Sequence, residues 1–133
     1  AIRRPGEHIT LIAWHRMVAV AMEAAETLSA DGINVEVIDL RSLKPIDLPC
    51  LLESVQRTGR AIVVEEDCRF AGAGAEIAAS LGEAAFDTLA APVRRVAAAD
   101  VPTPYNRALE SASIPDTAAV VQAVRETVGE RKR

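Results

Sequence analysis

Three consecutive acids, Glu65, Glu66 and Asp67, stand a few residues before a Gly72-x-Gly74 turn. The acids end a short apolar run, and the turn opens a segment with helical spacing. A strand, a glycine turn and a helix in that order form the phosphate-binding corner of many α/β proteins, because the backbone N–H groups at a helix start attract anions. Clustered carboxylates offer a second chemistry, since their oxygens bind divalent metal ions. The segment is therefore a candidate cofactor loop.

Several details of this segment argue against a cofactor loop. A dinucleotide fingerprint needs a small residue three positions after Gly74, where this chain has Ile77, and an acid at the end of the next strand, which ends in alanines. A phosphate bound at the turn would meet three carboxylates. We interpret the glycines as packing residues that allow a tight turn close to the sheet. The acids are expected to be solvated, to face a partner, or to pair with Arg69, Arg94 or Arg95, and this role is favoured over a metal site.

The remaining reactive side chains form no complete catalytic constellation. His15 lies where a strand turns into a helix and is a candidate general base, but no orienting acid or nucleophile stands near it in sequence, so a helix-start role is favoured. His8 is expected to be a surface residue. Cys50 and Cys68 lack the spacing of a zinc site.

Composition limits the classes of function. The 133 residues are expected to form one domain, residues 1–133, with a charged tail at about 129–133. The net charge of −4 and the 3% aromatic content predict no nucleic-acid partner. No apolar stretch approaches the roughly 20 residues that span a bilayer, so we expect no membrane contact and a cytoplasmic location.

Hydrophobic periodicity predicts alternating strands and helices. The predicted strands cover residues 8–14, 33–40, 61–64 and 92–97, and the predicted helices cover 16–30, 48–58, 74–89 and about 117–128. Asp47 and Gly59 bound the second helix as its N-terminal cap and its stop, and the segment 113–116 resembles a capping box before the last helix. The second and third strands are expected to be central. The pattern predicts an α/β fold with a mostly parallel sheet between layers of helices.

Five segments together resemble a known family. They occur in order and in register, and the last of them continues into Leu109-Glu110 and Ile114-Pro115. The segments are Thr10–Met17, Val37–Pro45, Val63–Glu66, Gly72–Ile77 and Asp100–Tyr105. Nearly the whole chain resembles the C-terminal domain of transketolase-like enzymes. It is most similar to the beta subunit of the thiamine-diphosphate-dependent component of 2-oxoacid dehydrogenase complexes of the pyruvate type.

This resemblance implies a fold, a role and a set of partners. The fold would be a three-layer α/β/α sandwich with a sheet of about five strands, the first of them antiparallel. The parent enzyme would oxidatively decarboxylate a 2-oxoacid and transfer the acyl group to lipoamide, using thiamine diphosphate and magnesium that this domain does not bind. The partners would be the alpha subunit, the N-terminal part of the beta subunit and the dihydrolipoyl acyltransferase core, in an assembly that includes a dimer.

The resulting hypothesis is a non-catalytic assembly and docking domain, inactive when isolated. The candidate interface residues are acids and one aromatic anchor, namely Glu65, Glu66, Asp67, Glu76, Asp100 and Tyr105. One alternative is a free-standing domain that binds a nucleotide or another anion at the Gly72–Gly74 turn. Another is a stand-alone module that forms homodimers through a sheet edge or its last helix.

Overall fold

The computed structural model describes residues 1–68, 72–98 and 114–129. Five strands and four helices occur in these ranges, and each helix but the last is followed by a strand. In chain order they are β1 (Ile2–Arg4), β2 (Ile9–Ala13), α1 (Arg16–Ser29), β3 (Val35–Asp39), α2 (Leu48–Thr58), β4 (Ala61–Cys68), α3 (Ala73–Ala84), β5 (Arg94–Ala98) and α4 (Thr117–Gly129). The predicted α/β alternation is confirmed.

The strands form one sheet in the order β1-β3-β2-β4-β5. Strands β2 to β5 are mutually parallel, and only β1 runs antiparallel, against β3. The three-residue strand β1 was absent from the sequence prediction, because a short, arginine-containing edge strand carries no periodic apolar signal. The first predicted strand, now β2, lies in the middle of the sheet and is buried along its whole length. The resemblance implies an antiparallel first strand; the antiparallel strand is β1, whereas the first strand predicted from the sequence, β2, runs parallel to β3 and β4.

Each face of the sheet is covered by two helices. On one face, Leu11 of β2 belongs to a core with Met17 of α1 and Val120 of α4. On the other face, Ile12 packs in a second core with helices α2 and α3. Alternate residues of β2 thus enter opposite cores, as a central strand requires. The three-layer sandwich is confirmed. No helix in the described ranges combines the length and apolar character that a membrane span needs.

The end of one strand and the end of one helix differ most from the prediction. Strand β4 continues to Cys68, with a shift of its register against β5 after Val64, so the three acids lie within the strand instead of beyond it. Helix α3 ends at Ala84 instead of residue 89. A tighter turn follows the helix, in which both the backbone N–H and the hydroxyl of Thr88 donate to the carbonyl of Ala85.

Helix α2 begins and ends as its sequence predicts. The carboxylate of Asp47 accepts a hydrogen bond from the backbone N–H of Cys50 at 3.2 Å, and Gly59 ends the helix with a left-handed φ of 74°. Replacing Asp47 with alanine is expected to lower the free energy of unfolding by about 1 kcal/mol, since an N–H group of the first turn loses its acceptor. Urea unfolding measures this loss. The matched variant Asp47→Asn keeps an acceptor oxygen and should lose less; equal losses would contradict the capping role.

Candidate functional site

The first acid of the trio points into the protein. Glu65 is fully buried, and its Oε2 accepts a hydrogen bond of 2.6 Å from the backbone N–H of Gly74 at the start of α3. Its Oε1 forms an ion pair with Arg95 of β5, whose side chain is 12% exposed. Both carboxylate oxygens therefore have charged or polar partners inside the domain. The expected pairing of an acid with Arg95 is confirmed, whereas the expectation that Glu65 faces a partner is corrected.

Gly74 is a glycine because the Glu65 carboxylate occupies the place of a side chain. A Cβ atom on Gly74 would lie 2.4 Å from Oε2 and 2.6 Å from Cδ of Glu65. The interpretation of this glycine as a packing residue is confirmed. The same geometry argues against the alternative site for a nucleotide or anion at this turn, since the N–H of Gly74 already donates to a carboxylate. These residues do not fit the diphosphate of a cofactor.

The other acids of the trio have different surroundings. Glu66 accepts two hydrogen bonds from Arg16, from Nε at 2.9 Å and from Nη2 at 2.5 Å, and this pair joins the ends of β2 and β4. Asp67 and Glu76 are exposed. Among the residues that the structure describes, no group of three or more His, Cys, Asp and Glu side chains could hold a metal ion. The candidates Asp100 and Tyr105 lie outside the described residues and stay predictions.

A second buried carboxylate, missed by the sequence prediction, lies at the amino end of the sheet. Glu36 of β3 is fully buried, and its Oε2 accepts from the backbone N–H of Gly6 at 3.1 Å and pairs with Arg57. Its Oε1 accepts from the hydroxyl of Ser54 at 2.9 Å. The one available signal was an acid inside an otherwise apolar strand, and such a charge is buried only where partners compensate it.

Three hydroxyl groups extend this network. Thr10 lies 2.7 Å from the Ser54 hydroxyl and 2.8 Å from the Thr58 hydroxyl. Ser54 donates its proton to Glu36, and Thr58 donates to the backbone carbonyl of Arg60 at 3.0 Å. The two contacts of Thr10 therefore share the single proton of Thr10. Neither neighbour depends on Thr10 to accept its own proton.

The network raises the pKa of Arg57. Its hydrogen bond to Glu36, and next the coulombic attraction of that carboxylate, raise the pKa of the Arg57 guanidinium above its ordinary value, while burial opposes the rise. A raised folded-state pKa gives stability that is fully present below the unfolded-state pKa and is lost only as the pH rises through the folded-state pKa. Arg57 thus stays charged at neutral pH and contributes no pH dependence to stability there.

The histidines have structural positions. His15 precedes α1 at its N-cap with φ of 54° and ψ of −134°, makes no side-chain capping hydrogen bond, and is exposed. This agrees with the expected helix-start position. His8 is exposed, as expected, but its Nδ1 also accepts a hydrogen bond of 2.8 Å from the backbone N–H of Asn34. Neither ring lies in a described catalytic arrangement.

Comparison with known proteins gives a consistent result. Residues 1–120 match the family described as "Transketolase, C-terminal domain". The chain is 44% identical over 127 residues to the pyruvate dehydrogenase E1 component subunit beta of Staphylococcus epidermidis. The matched region covers 96% of this chain and 39% of that protein. The chain is also 44% identical over 128 residues to the mitochondrial subunit of the same name from Caenorhabditis elegans, covering 96% of this chain and 36% of that protein.

Solved structures agree with the sequence comparisons. A split-gene transketolase, described as an inactive beta4 tetramer, matches all of this chain and 42% of its own with a TM-score of 0.81 and 33% identity. A 2-oxoglutarate:ferredoxin oxidoreductase from Magnetococcus marinus has a TM-score of 0.60 at 18% identity, covering 93% of this chain and 18% of its own, and supports the fold alone. The chain spans about two fifths of the length of the curated relatives that it matches.

Proposed function

The chain belongs to the family of transketolase C-terminal domains, and from that premise we propose that it is the assembly and docking domain of a pyruvate dehydrogenase-type E1 beta subunit. The parent enzyme would decarboxylate a 2-oxoacid oxidatively and transfer the acyl group to lipoamide, with thiamine diphosphate and magnesium held elsewhere. The observation that carries the proposal is the 44% identity to such beta subunits over 96% of the chain. The relatives are longer, so the catalytic residues are expected in the part of them that this chain does not match.

The buried polar groups support a non-catalytic role. Catalytic carboxylates need access to a substrate, but Glu65 is fully buried and Glu66 is bound to Arg16. Glu65 stabilises the corner between the sheet and α3, and Glu66 ties the end of β4 to the start of α1, so both acids have partners inside the domain. Asp67 and Glu76 remain available as exposed charges for the polar rim of an interface. We therefore propose these two, with Asp100 and Tyr105, as contacts to the alpha subunit, to the rest of the beta subunit or to the acyltransferase core.

A domain replacement tests the assembly role. The matching 127 residues of the Staphylococcus epidermidis beta subunit are replaced by this chain, and the chimera is co-expressed with the alpha subunit of that bacterium. We expect the two to co-purify as one complex in size-exclusion chromatography with light scattering, and the complex to decarboxylate pyruvate. A folded chimera that stays apart from the alpha subunit would refute the proposal.

Charge reversal within the chimera tests the candidate interface. Glu76→Lys is expected to weaken assembly by roughly tenfold, since a reversed charge at an interface meets the wrong potential. The control is Glu53→Lys, which reverses an exposed acid on α2 that is not a candidate. Equal effects of the two variants would remove Glu76 from the interface. The isolated chain is expected to show no decarboxylation with pyruvate, thiamine diphosphate and magnesium, and measurable turnover would contradict the non-catalytic role.

A further inference from the structure

An open groove of about 690 Å³ lies at the carboxyl ends of β2 and β3. Its apolar lining includes Val18 and Met22 of α1 and Leu40, which follows β3. Ligands of parallel α/β sheets bind outside the carboxyl ends of the strands. They bind near the switch point, where the connections from two adjacent strands leave in opposite directions. Here α1 connects β2 to β3 on one side, whereas β4 lies on the other side of β2. The switch point therefore lies between β2 and β4, and the groove lies at the same carboxyl end of the sheet, on the β3 side of β2.

Positive charge exceeds negative charge around the groove. Nη1 of Arg3 lies 3.7 Å from Oδ2 of Asp39, and Nε of Arg41 lies 3.8 Å from the same oxygen. One carboxylate thus faces two guanidinium groups, at distances too long for hydrogen bonds. The first turn of α1 contains no acid, so the positive end of its dipole is not neutralised there by a residue of the helix itself. The three side chains together have a net charge of +1.

His15 brings a third nitrogen-bearing side chain to the same groove. Its φ of 54° and ψ of −134° are unfavourable for a residue with a Cβ. This conformation leaves the imidazole exposed at the end of the central strand, where it lines the groove beside the arginines. A ring nitrogen that carries hydrogen can donate to an anion.

We propose that this groove binds a small anion, either a phosphate or a carboxylate compound with a short apolar group. The anionic head would lie between Arg3, Arg41 and His15, and the apolar part would cover Val18 and Met22. The groove is separate from the Gly72–Gly74 turn, whose N–H group Glu65 occupies. The inference does not depend on the proposed role in assembly.

Phenyl phosphate is a suitable probe, because it combines an anionic phosphate with an apolar ring. The complete 133-residue chain, shown to be folded by circular dichroism, is titrated with it and followed by calorimetry and by amide chemical shifts. We expect a dissociation constant on the order of 1 mM at low salt, weaker at higher salt because exposed charges are screened. Inorganic phosphate should bind more weakly, and uncharged benzyl alcohol should not bind measurably. Hexanoate in place of phenyl phosphate distinguishes a carboxylate from a phosphate preference.

Two pairs of charge-matched variants localise the site. Asp39→Asn is expected to tighten binding of phenyl phosphate about threefold, since it removes the carboxylate that competes for both arginines. Its control, Asp31→Asn, changes the net charge equally but alters the distant pair with Arg125. Arg41→Gln is expected to weaken binding about fivefold, and its control, Arg125→Gln, to leave binding unchanged.

The variants distinguish binding in the groove from a general response to net charge. Tighter binding by Asp39→Asn alone, with shifted amides at His15 and Leu40, supports the site. Equal effects of Asp39→Asn and Asp31→Asn would mean that phenyl phosphate responds only to net charge, and would overturn the proposal. Binding of benzyl alcohol as tight as that of phenyl phosphate would also overturn it. Thermal unfolding of each variant checks the fold, which should be preserved, since the substituted side chains are exposed or, at Asp39, only partly buried.

Discussion

Replacing Gly74 with alanine is expected to lower the free energy of unfolding by about 3 kcal/mol, a large share of the 5–15 kcal/mol typical of a domain. The added Cβ would lie 2.4 Å from Oε2 of Glu65. A side-chain end can usually move aside, but this carboxylate is fully buried and is held by Arg95 and by the N–H of Gly74. Moving it weakens both interactions in a place that water does not reach. Urea unfolding followed by circular dichroism measures the loss.

A double-mutant cycle isolates the cause. Glu65→Ala alone is expected to cost about 3–5 kcal/mol, because it removes one partner of a buried ion pair. In the Glu65→Ala background the obstacle is gone, and Gly74→Ala should become neutral or slightly stabilising, since alanine favours helix more than glycine does. The coupling between the two positions should thus exceed about 2 kcal/mol. Additive losses would show that Gly74 is required for a reason other than Glu65.

A second glycine of the same helix is the control. A Cβ on Gly82 of α3 would meet nothing within 4 Å. Gly82→Ala is therefore expected to raise the free energy of unfolding of the isolated chain by about 0.5–1 kcal/mol. Opposite signs at positions 74 and 82 would separate the local contact from the general preference of helices for alanine. A loss at both positions would contradict this interpretation.

Replacing Glu36 with alanine is expected to cost about 2–4 kcal/mol of unfolding free energy. The substitution leaves the N–H of Gly6 and the hydroxyl of Ser54 without their acceptor in a buried place, and it opens a cavity. The Arg57 side chain is 46% exposed, so water compensates much of its lost pairing, and its share of the estimate is small. Glu36→Gln should cost less, because an amide oxygen can still accept one of these hydrogen bonds.

Thr10→Val is the matched control for Glu36, and it should cost less than about 1 kcal/mol. Thr10 is equally buried and belongs to the same network. Ser54 and Thr58 donate their protons to other acceptors, so deleting the Thr10 hydroxyl leaves no buried donor unsatisfied. A loss at Thr10 as large as that at Glu36 would mean that Ser54 or Thr58 donates its proton to Thr10.

Local sequence determined the order of the four helices and of strands β2 to β5, and many of their ends. Gly59 ends α2 because a left-handed residue there favours glycine, and Asp47 begins it because a short acid accepts from the first turn. These effects act within a few residues of the chain, so the sequence displays them directly. The resemblance to transketolase C-terminal domains was also present in the sequence, since five segments keep the order and spacing of the family, and the match over residues 1–120 confirms it.

Only the tertiary structure decided which acidic side chains point into the protein and which strand is central in the sheet. Glu36 is buried because the register of β3 places it opposite Thr10 of β2, under the polar face of α2. Glu65 turns inward because α3 presents a glycine N–H to it and β5 presents Arg95. Each partner is distant in sequence, and only strand pairing and helix packing bring it near. The local sequence therefore shows that a residue is acidic, but it does not show whether the fold supplies the partners that allow the residue to be buried.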